Sequence, residues 1–350
     1  MLRKEVCIVM FYLLSMITGV LECGWIAYGA VHGLPLWQIL CFPLAYHLGN
    51  MFPKPFSLGK RALAVLSGLC CAASVAMLFP VFSGKALFGI TCALLACLSA
   101  VIQSVRSDLK SDGNRLLKRV FRVGGFVVSP VAAFLPAITL VAVSVFALVA
   151  AVRHYSGEAG MTRMTLQKGF STVMICHQLH YFFYAHITLA EMSLRLTSML
   201  PKWGCVCAAL LFCGTWITYM SVEPLVSKRT AGLLPVFLVG HVGIGLLLSC
   251  MGFVTDLPLF ILMWIITGFG GGVVYTISGM AKKADSFDKT SMTIAENIGH
   301  TAGLLTAVTV AAICGNTAPR VMLFFGAVSA LTAVARMLLI VRKGDYREAQ

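Results

Sequence analysis

Apolar runs of about twenty residues follow one another along the whole chain, separated by short segments rich in Gly, Pro and charged residues. They cover 5–31, 35–52, 61–81, 84–105, 119–135, 137–153, 170–198, 201–221, 231–252, 256–280, 291–314 and 319–341. Each run is long enough to cross roughly 30 Å of hydrocarbon as a helix, whereas a buried strand would end after four to eight residues. The pattern predicts an all-α integral membrane protein with twelve transmembrane helices. The first run is too long and too glutamate-bearing for a cleaved signal peptide, and is expected to be the first span.

Charge changes the picture by orienting these spans. Only 11% of the 350 residues are charged and 59% are hydrophobic, where a soluble domain carries about a quarter charged residues. Of the 27 Lys and Arg, all but Lys85, Arg195, Lys202, Arg320 and Arg336 fall on one side once the spans are threaded alternately. The positive-inside rule makes that side cytoplasmic, with both termini there, and the expected location is the cytoplasmic (inner) membrane. The formal net charge of +14 therefore belongs to loops between spans and does not argue for a nucleic-acid partner. Trp25, Trp37 and Trp203 are expected at the outer interface. The linker 154–169 divides the chain into 1–153 and 170–350, two six-helix halves, the second with a short cytoplasmic tail. A 6+6 arrangement is the layout of many secondary transporters.

The 13 cysteines bear little on chemistry. Most lie in apolar runs, where Cys acts as a small hydrophobe. Cys92 and Cys97 stand about 140° apart round a helix, and Cys205-x-Cys207 lacks zinc-ribbon spacing. No metal site and no cofactor are expected.

At the level of topology and of two degenerate motifs the chain resembles the major facilitator superfamily. The family's loop signature between spans two and three ends in Gly-Arg-Arg; here Gly59-Lys60-Arg61 match that end, and Phe56 stands where the family has aspartate. Its antiporter pattern in span five is echoed by "GFVVSPVAAF", with Gly125, Ser129, Pro130 and Ala133. Small residues at such spacing also serve close helix packing. The family's fourth-span arginine has no counterpart in "GITCALLACLSAVIQSV". The resemblance implies that the first, fourth, seventh and tenth spans line a central path.

Polar groups inside the spans supply the candidate chemistry. In span seven, His177, His180, Tyr181, Tyr184, Thr188, Glu191 and Arg195 share one face, and His186 lies about 180° round from His177. The three histidines therefore cannot ligate one ion. Ionisable residues in a span face a bundle interior or a wet cavity, so this stripe is expected to line the path, with interhelical hydrogen bonding as the alternative. Glu22 in span one and Glu191 in span seven, with Arg195, are the candidate proton-coupling groups; pairing of Glu191 with Arg195 as a simple salt bridge is the competing reading. Both carboxylates are placed late in outward-running helices. His47 in span two and Glu296 and His300 in span eleven are expected near a cytoplasmic gate. Gly268, Gly270, Gly271 and Gly272 in span ten are expected either to bend that helix beside Tyr275 or to pack closely.

No phosphate loop, nucleophile elbow or His-Glu-x-x-His helix is present, so an enzyme or an ATP-driven pump is not expected. The expectation is a monomeric secondary transporter coupled to protons, moving a small polar or amphipathic organic solute by alternating access, with the span-five pattern leaning toward export. The alternatives are a non-transporting sensor on the same fold, an importer, and a metal-chelate transporter.

Overall fold

The computed structural model describes residues 2–53, 56–80, 83–109, 115–161, 170–201, 203–228, 233–281, 289–318 and positions 331, 334, 335 and 338. Within these, the side chains of 2–4, 115–116, 170–174, 176–185, 233–234, 278–281, 289–290, 292 and 316 are left out of the description. The described chain is all-α. Its helices are α1 (Leu2–Val31), α2 (Leu36–Met51), α3 (Lys60–Ala76), α4 (Gly84–Asp108), α5 (Arg115–Val128), the short α6 (Val131–Phe134), α7 (Pro136–His154), α8 (Phe170–Met199), α9 (Gly204–Val226), α10 (Leu233–Met251), α11 (Leu257–Ala281) and α12 (Lys289–Cys314). Eleven of the expected spans thus have a helical counterpart, and the twelfth, 319–341, falls almost wholly outside the described residues. Among the described residues, six helices are long and apolar enough to cross a membrane outright, among them Glu5–Val31, Gly84–Asp108 and Thr293–Cys314. Large apolar side chains such as Val65, Leu69, Val145, Ile217, Val239 and Ile313 point outward, as a lipid-facing surface requires. The chain is a multi-pass membrane protein.

The chain separates into two compact units, Met1–Arg163 with Leu196–Leu210, and Met164–Arg195 with Leu211–Gln350. In the first unit α1 packs against α2, α4, α5, α6 and α7. Its core is filled by Leu14, Leu21, Trp25, Phe42, Tyr46, Leu95, Leu98 and Leu140. Trp25 is 1% exposed and packs within this core. Cys205 joins this unit by packing with Ala27 and Ala133.

Two breaks in this unit follow from backbone chemistry. The turn between α1 and α2 places Gly33 at φ +62°, a conformation glycine adopts without a Cβ penalty, and Leu34 N–H donates to the Gly29 carbonyl at 2.9 Å. The fifth span, expected as one helix over 119–135, is divided: Pro130 has no N–H to donate, α5 stops at Val128, and α6 restarts at Val131.

At the opposite end of α2, a two-residue antiparallel ladder joins β1 (Phe56–Ser57) to β2 (Gly160–Met161), pairing Phe56 with Met161 and Ser57 with Gly160. Ser57 Oγ donates to the Glu158 carbonyl (2.9 Å), Tyr155 O–H donates to the Leu58 carbonyl (2.7 Å), and Ser156 donates through N–H (2.6 Å) and Oγ (2.9 Å) to Asp108. Burial, with Asp108 nearby, raises the Tyr155 phenol above its ordinary range, so it stays a donor. The loop after α2 is thus fastened through backbone pairing at Phe56.

In the second unit, α11 is unbroken through its glycine run. A Cβ at Gly268 would lie 2.0 Å from Thr218 Oγ1 and 2.2 Å from the Thr215 carbonyl, and one at Gly270 would lie 2.5 Å from Ile244. One at Gly272 would lie 2.6 Å from the Tyr219 carbonyl. The glycines therefore let α9 and α10 approach α11, the close-packing alternative. Thr218 Oγ1 closes the α9–α11 contact by donating to the Ile265 carbonyl at 2.8 Å.

Candidate functional site

The buried charge of the first unit is built where α1 meets α5. A Cβ on Gly125 would stand 2.0 Å from the Met16 carbonyl, and one on Gly19 would stand 2.5 Å from the Arg122 carbonyl. Further along, Gly24 lies over Ser129 and Ala132. The small residues of "GFVVSPVAAF" are packing residues, and they bring the two backbones together. Below them Phe121 stacks on Tyr12 (5.3 Å) and Lys118 lies over the Phe11 ring (5.6 Å).

This approach carries Arg122 to Glu22. Arg122 Nη2 donates to Glu22 Oε2 at 2.5 Å, and His47 Nε2 of α2 stands 3.7 Å from Glu22 Oε1. The Glu22 side chain is 8% exposed and that of Arg122 is 31% exposed, so the carboxylate is the more enclosed member of the pair. The Tyr46 ring meets His47 edge-on at 5.0 Å, and the Tyr46 carbonyl accepts from Ser99 Oγ of α4 at 2.8 Å, fixing the α2 backbone beside the pair. Arg106, in the last turn of α4, lies within electrostatic reach of Tyr46, Arg122 and Glu22.

Glu22 and His47 lie at one depth. Counted from the turn at Gly33, each is about ten residues into its helix, or roughly 14 and 17 Å from the helix ends at 1.5 Å per residue. Span order alone had separated them, putting Glu22 toward the outer side and His47 toward the inner. An antiparallel hairpin cancels that difference. Arg122 was sorted among cytoplasmic flanking charges because basic residues crowd the start of α5; yet it lies inside the predicted span 119–135, opposite a lone carboxylate in α1. An ionisable residue within a span was the signal that it needed a partner.

In the second unit Glu191 and Arg195 form a salt bridge one turn apart on α8. The Arg195 guanidinium also donates to the Val254 carbonyl at 3.2 Å and lies 4.8 Å from the Phe260 ring, which is fully buried. Thr188 is buried on the same helix, as is His186. His177, His180, Tyr181 and Tyr184 belong to α8, but their side chains lie outside the described ones. Tyr275 of α11 packs edge-on against Tyr219 of α9 at 5.7 Å. Glu296 and His300 sit half-buried one turn apart on α12. His241 of α10, fully buried and stacked on Phe237 at 6.1 Å, escaped the sequence reading because a lone histidine in an apolar run carries no pattern.

No protein-family profile and no curated protein sequence matches the chain. Solved structures do. A POT family transporter in complex with 5-aminolevulinic acid superposes with a TM-score of 0.63 at 12% identity, over 96% of this chain and 96% of that one. The nucleoside transporter NupG gives 0.61 at 12% identity over 97% and 100%. A bacterial homologue of the iron transporter ferroportin, in an inward-facing state, gives 0.62 at 15% identity over 97% and 98%. The fold of the chain is that of these transporters.

Proposed function

We propose that the protein is a proton-coupled secondary transporter and that Glu22 is its proton-carrying group. The chain is read as two six-helix halves, 1–153 and 170–350, joined through 154–169, with the twelfth helix over 319–341. The solute is a small polar or amphipathic organic molecule moved by alternating access. The stripe of His177, His180, Tyr181, Tyr184 and Thr188, with Tyr275, lines its path, and His47, Glu296 and His300 serve the cytoplasmic gate.

The observation that supports this reading is the difference between the two intramembrane carboxylates. Glu22 links three helices, bonding Arg122 of α5 and facing His47 of α2. Taking up a proton removes the charge that holds Arg122, so protonation alters how helices are held together. Glu191 pairs with an arginine on its own helix, and losing that pair leaves Arg195 still bonded to Val254 and lying over Phe260. A titration that loosens an interhelical contact suits a carrier; one confined to a single helix suits an anchor. The coupling role therefore falls to Glu22, with Glu191 and Arg195 positioning α8. The span-five pattern that leaned toward export is accounted for by packing.

The test is proton flux in proteoliposomes. Internal pH is followed while candidate solutes are supplied, with Glu22→Gln and Glu191→Gln reconstituted in parallel. The reading expects solute-dependent proton movement that Glu22→Gln abolishes and Glu191→Gln retains. Solute binding without flux in the wild type would support a sensor on the same fold.

A further inference from the structure

We propose that Glu191 and Trp264 form a recognition site in the second unit for a hydroxyl group of the solute. The solute O–H donates to Glu191 Oε2, and its oxygen accepts from Trp264 Nε1–H. This rests on the transporter reading and names a class of substrate for it.

Both atoms are wholly buried, and neither has a hydrogen-bond partner among the described residues. Trp264 is 2% exposed, and its ring stacks on Phe212 of α9 at 6.0 Å, which leaves the indole N–H as its polar edge. Glu191 gives its other oxygen, Oε1, to Arg195. A buried donor or acceptor left unpaired keeps the full cost of losing water, and the cost is greater for a charged group. Nearly all such groups in folded proteins have a partner. A buried donor and a buried acceptor beside an aromatic wall are what a small-molecule site provides: apolar surface with a few placed polar atoms.

Helix geometry brings the two to one level. The Arg195 guanidinium donates to the Val254 carbonyl, just before α11, and lies over Phe260 in the first turn of α11. The end of α8 and the start of α11 are therefore neighbours. Glu191 precedes Arg195 by one turn and Trp264 follows Phe260 by one turn, so each pair shares a helix face. Counted inward from Met199 and from Leu257, Glu191 and Trp264 stand roughly 12 and 10.5 Å along their helices at 1.5 Å per residue. The face that carries Arg195 to Phe260 thus carries Glu191 to the level of Trp264.

The two atoms select among ligands. A hydroxyl carries a donor and an acceptor on one oxygen, so a single group satisfies both. An ammonium donates to Glu191 but cannot accept from Trp264. A carboxylate accepts from Trp264 but sets a second negative oxygen against Oε2. An ether accepts without donating. A site built to bond an O–H discriminates strongly against the analogue that lacks it, because its own polar groups are then stranded. Glu191 keeps its bond to Arg195 while it binds, so recognition leaves the anchoring of α8 in place. A resident water has the same chemistry and is the competing source of the O–H.

The experiment uses the purified full chain in nanodiscs with ¹⁵N-labelled tryptophan. The indole N–H signal of Trp264 is assigned by its loss in Trp264→Phe or, if that variant fails to fold, by replacing the other four tryptophans singly. The probes are benzyl alcohol, glycerol and glucose for the hydroxyl, benzyl methyl ether as the group that only accepts, benzylamine as the cation and benzoate as the anion. The expected result is a saturable shift of the Trp264 signal with at least one hydroxyl probe, and binding at least tenfold weaker for the ether, the amine and benzoate. Glu191→Gln, whose amide oxygen is a weaker acceptor, should weaken hydroxyl binding about tenfold, the difference between a charged and a neutral partner. Trp264→Phe, read by equilibrium binding of the labelled probe, should weaken it at least tenfold. A water cross-peak at the Trp264 N–H that no probe displaces overturns the solute assignment, since the O–H is then a resident water. Benzylamine binding more tightly than every hydroxyl probe, and weakened by Glu191→Gln, overturns the hydroxyl class. Silence from the whole panel overturns it as well. The transporter reading is decided separately by proton flux: flux without a Trp264 response strikes this site and leaves that reading, and a hydroxyl response without flux keeps the site on a sensor.

Discussion

Deleting the Arg122 guanidinium by Arg122→Leu leaves Glu22 as a charge in a site only 8% exposed. Breaking a buried ion pair by removing one partner costs about 3–5 kcal/mol, most of it the stranded charge. Glu22 can limit that cost by taking a proton. At pH 7 that costs a carboxyl with an ordinary value near 4.3 close to 4 kcal/mol, about 1.36 for each pH unit. The penalty for Arg122→Leu is therefore capped at about 4 kcal/mol at pH 7. It shrinks to about 1 kcal/mol at pH 5, where the proton is nearly free to bind. Glu22→Gln should cost less, about 1–2 kcal/mol, because Gln still accepts a hydrogen bond from Arg122. The double variant should then lie well above the sum of the two, with a coupling energy of about 2 kcal/mol. Thermal unfolding of the four proteins in nanodiscs at pH 7 and pH 5 measures this. Additive single effects, or an Arg122→Leu penalty that does not shrink on acidification, would refute the pairing and the reasoning built on it.

Other outcomes follow from named contacts. Gly125→Ala puts a Cβ 2.0 Å from the Met16 carbonyl, so α1 and α5 must part by about 1.4 Å to reach ordinary contact; a loss of about 1–3 kcal/mol is expected in the same unfolding assay, together with weakened Arg122–Glu22 coupling. Tyr155→Phe removes the donor to the Leu58 carbonyl, worth about 1 kcal/mol, and amides of 155–161 should exchange with deuterium about fivefold faster than in the wild type. Glu191→Gln should leave the proton-to-solute ratio unchanged, as measured by simultaneous pH and tracer recording, since Arg195 keeps its bonds to Val254 and Phe260.

Much of the helical framework could be read from the chain, because apolar run length is set by bilayer thickness and needs no knowledge of partners. Glu22 was legible for the same reason: a lone carboxylate in "SMITGVLECGWIAYG" has no solvent to explain it. Its partner was not. Arg122 became visible only once Gly19 and Gly125 set the distance between α1 and α5, a contact between segments a hundred residues apart. The pairing with His47 was within reach, since counting residues outward from Gly33 on both sides of the hairpin gives nearly equal depths, but depth read helix by helix hid it. The glycines of α11 illustrate the opposite limit. A glycine run permits bending and close packing alike, and the bulk of Thr215, Thr218 and Ile244 on neighbouring helices decides which occurs. The break at Pro130 lay open in the sequence, whereas the pairing of Phe56 with Met161 did not, because backbone ladders leave little trace in two residues.

The central claim, that Glu22 couples solute movement to protons, is tested most directly by comparing exchange with accumulation in Glu22→Gln proteoliposomes. Exchange of labelled for unlabelled solute needs only alternating access, while uphill accumulation under a pH gradient needs the proton as well. The account predicts that Glu22→Gln retains exchange near the wild-type rate and loses accumulation. Accumulation that persists in Glu22→Gln would contradict it.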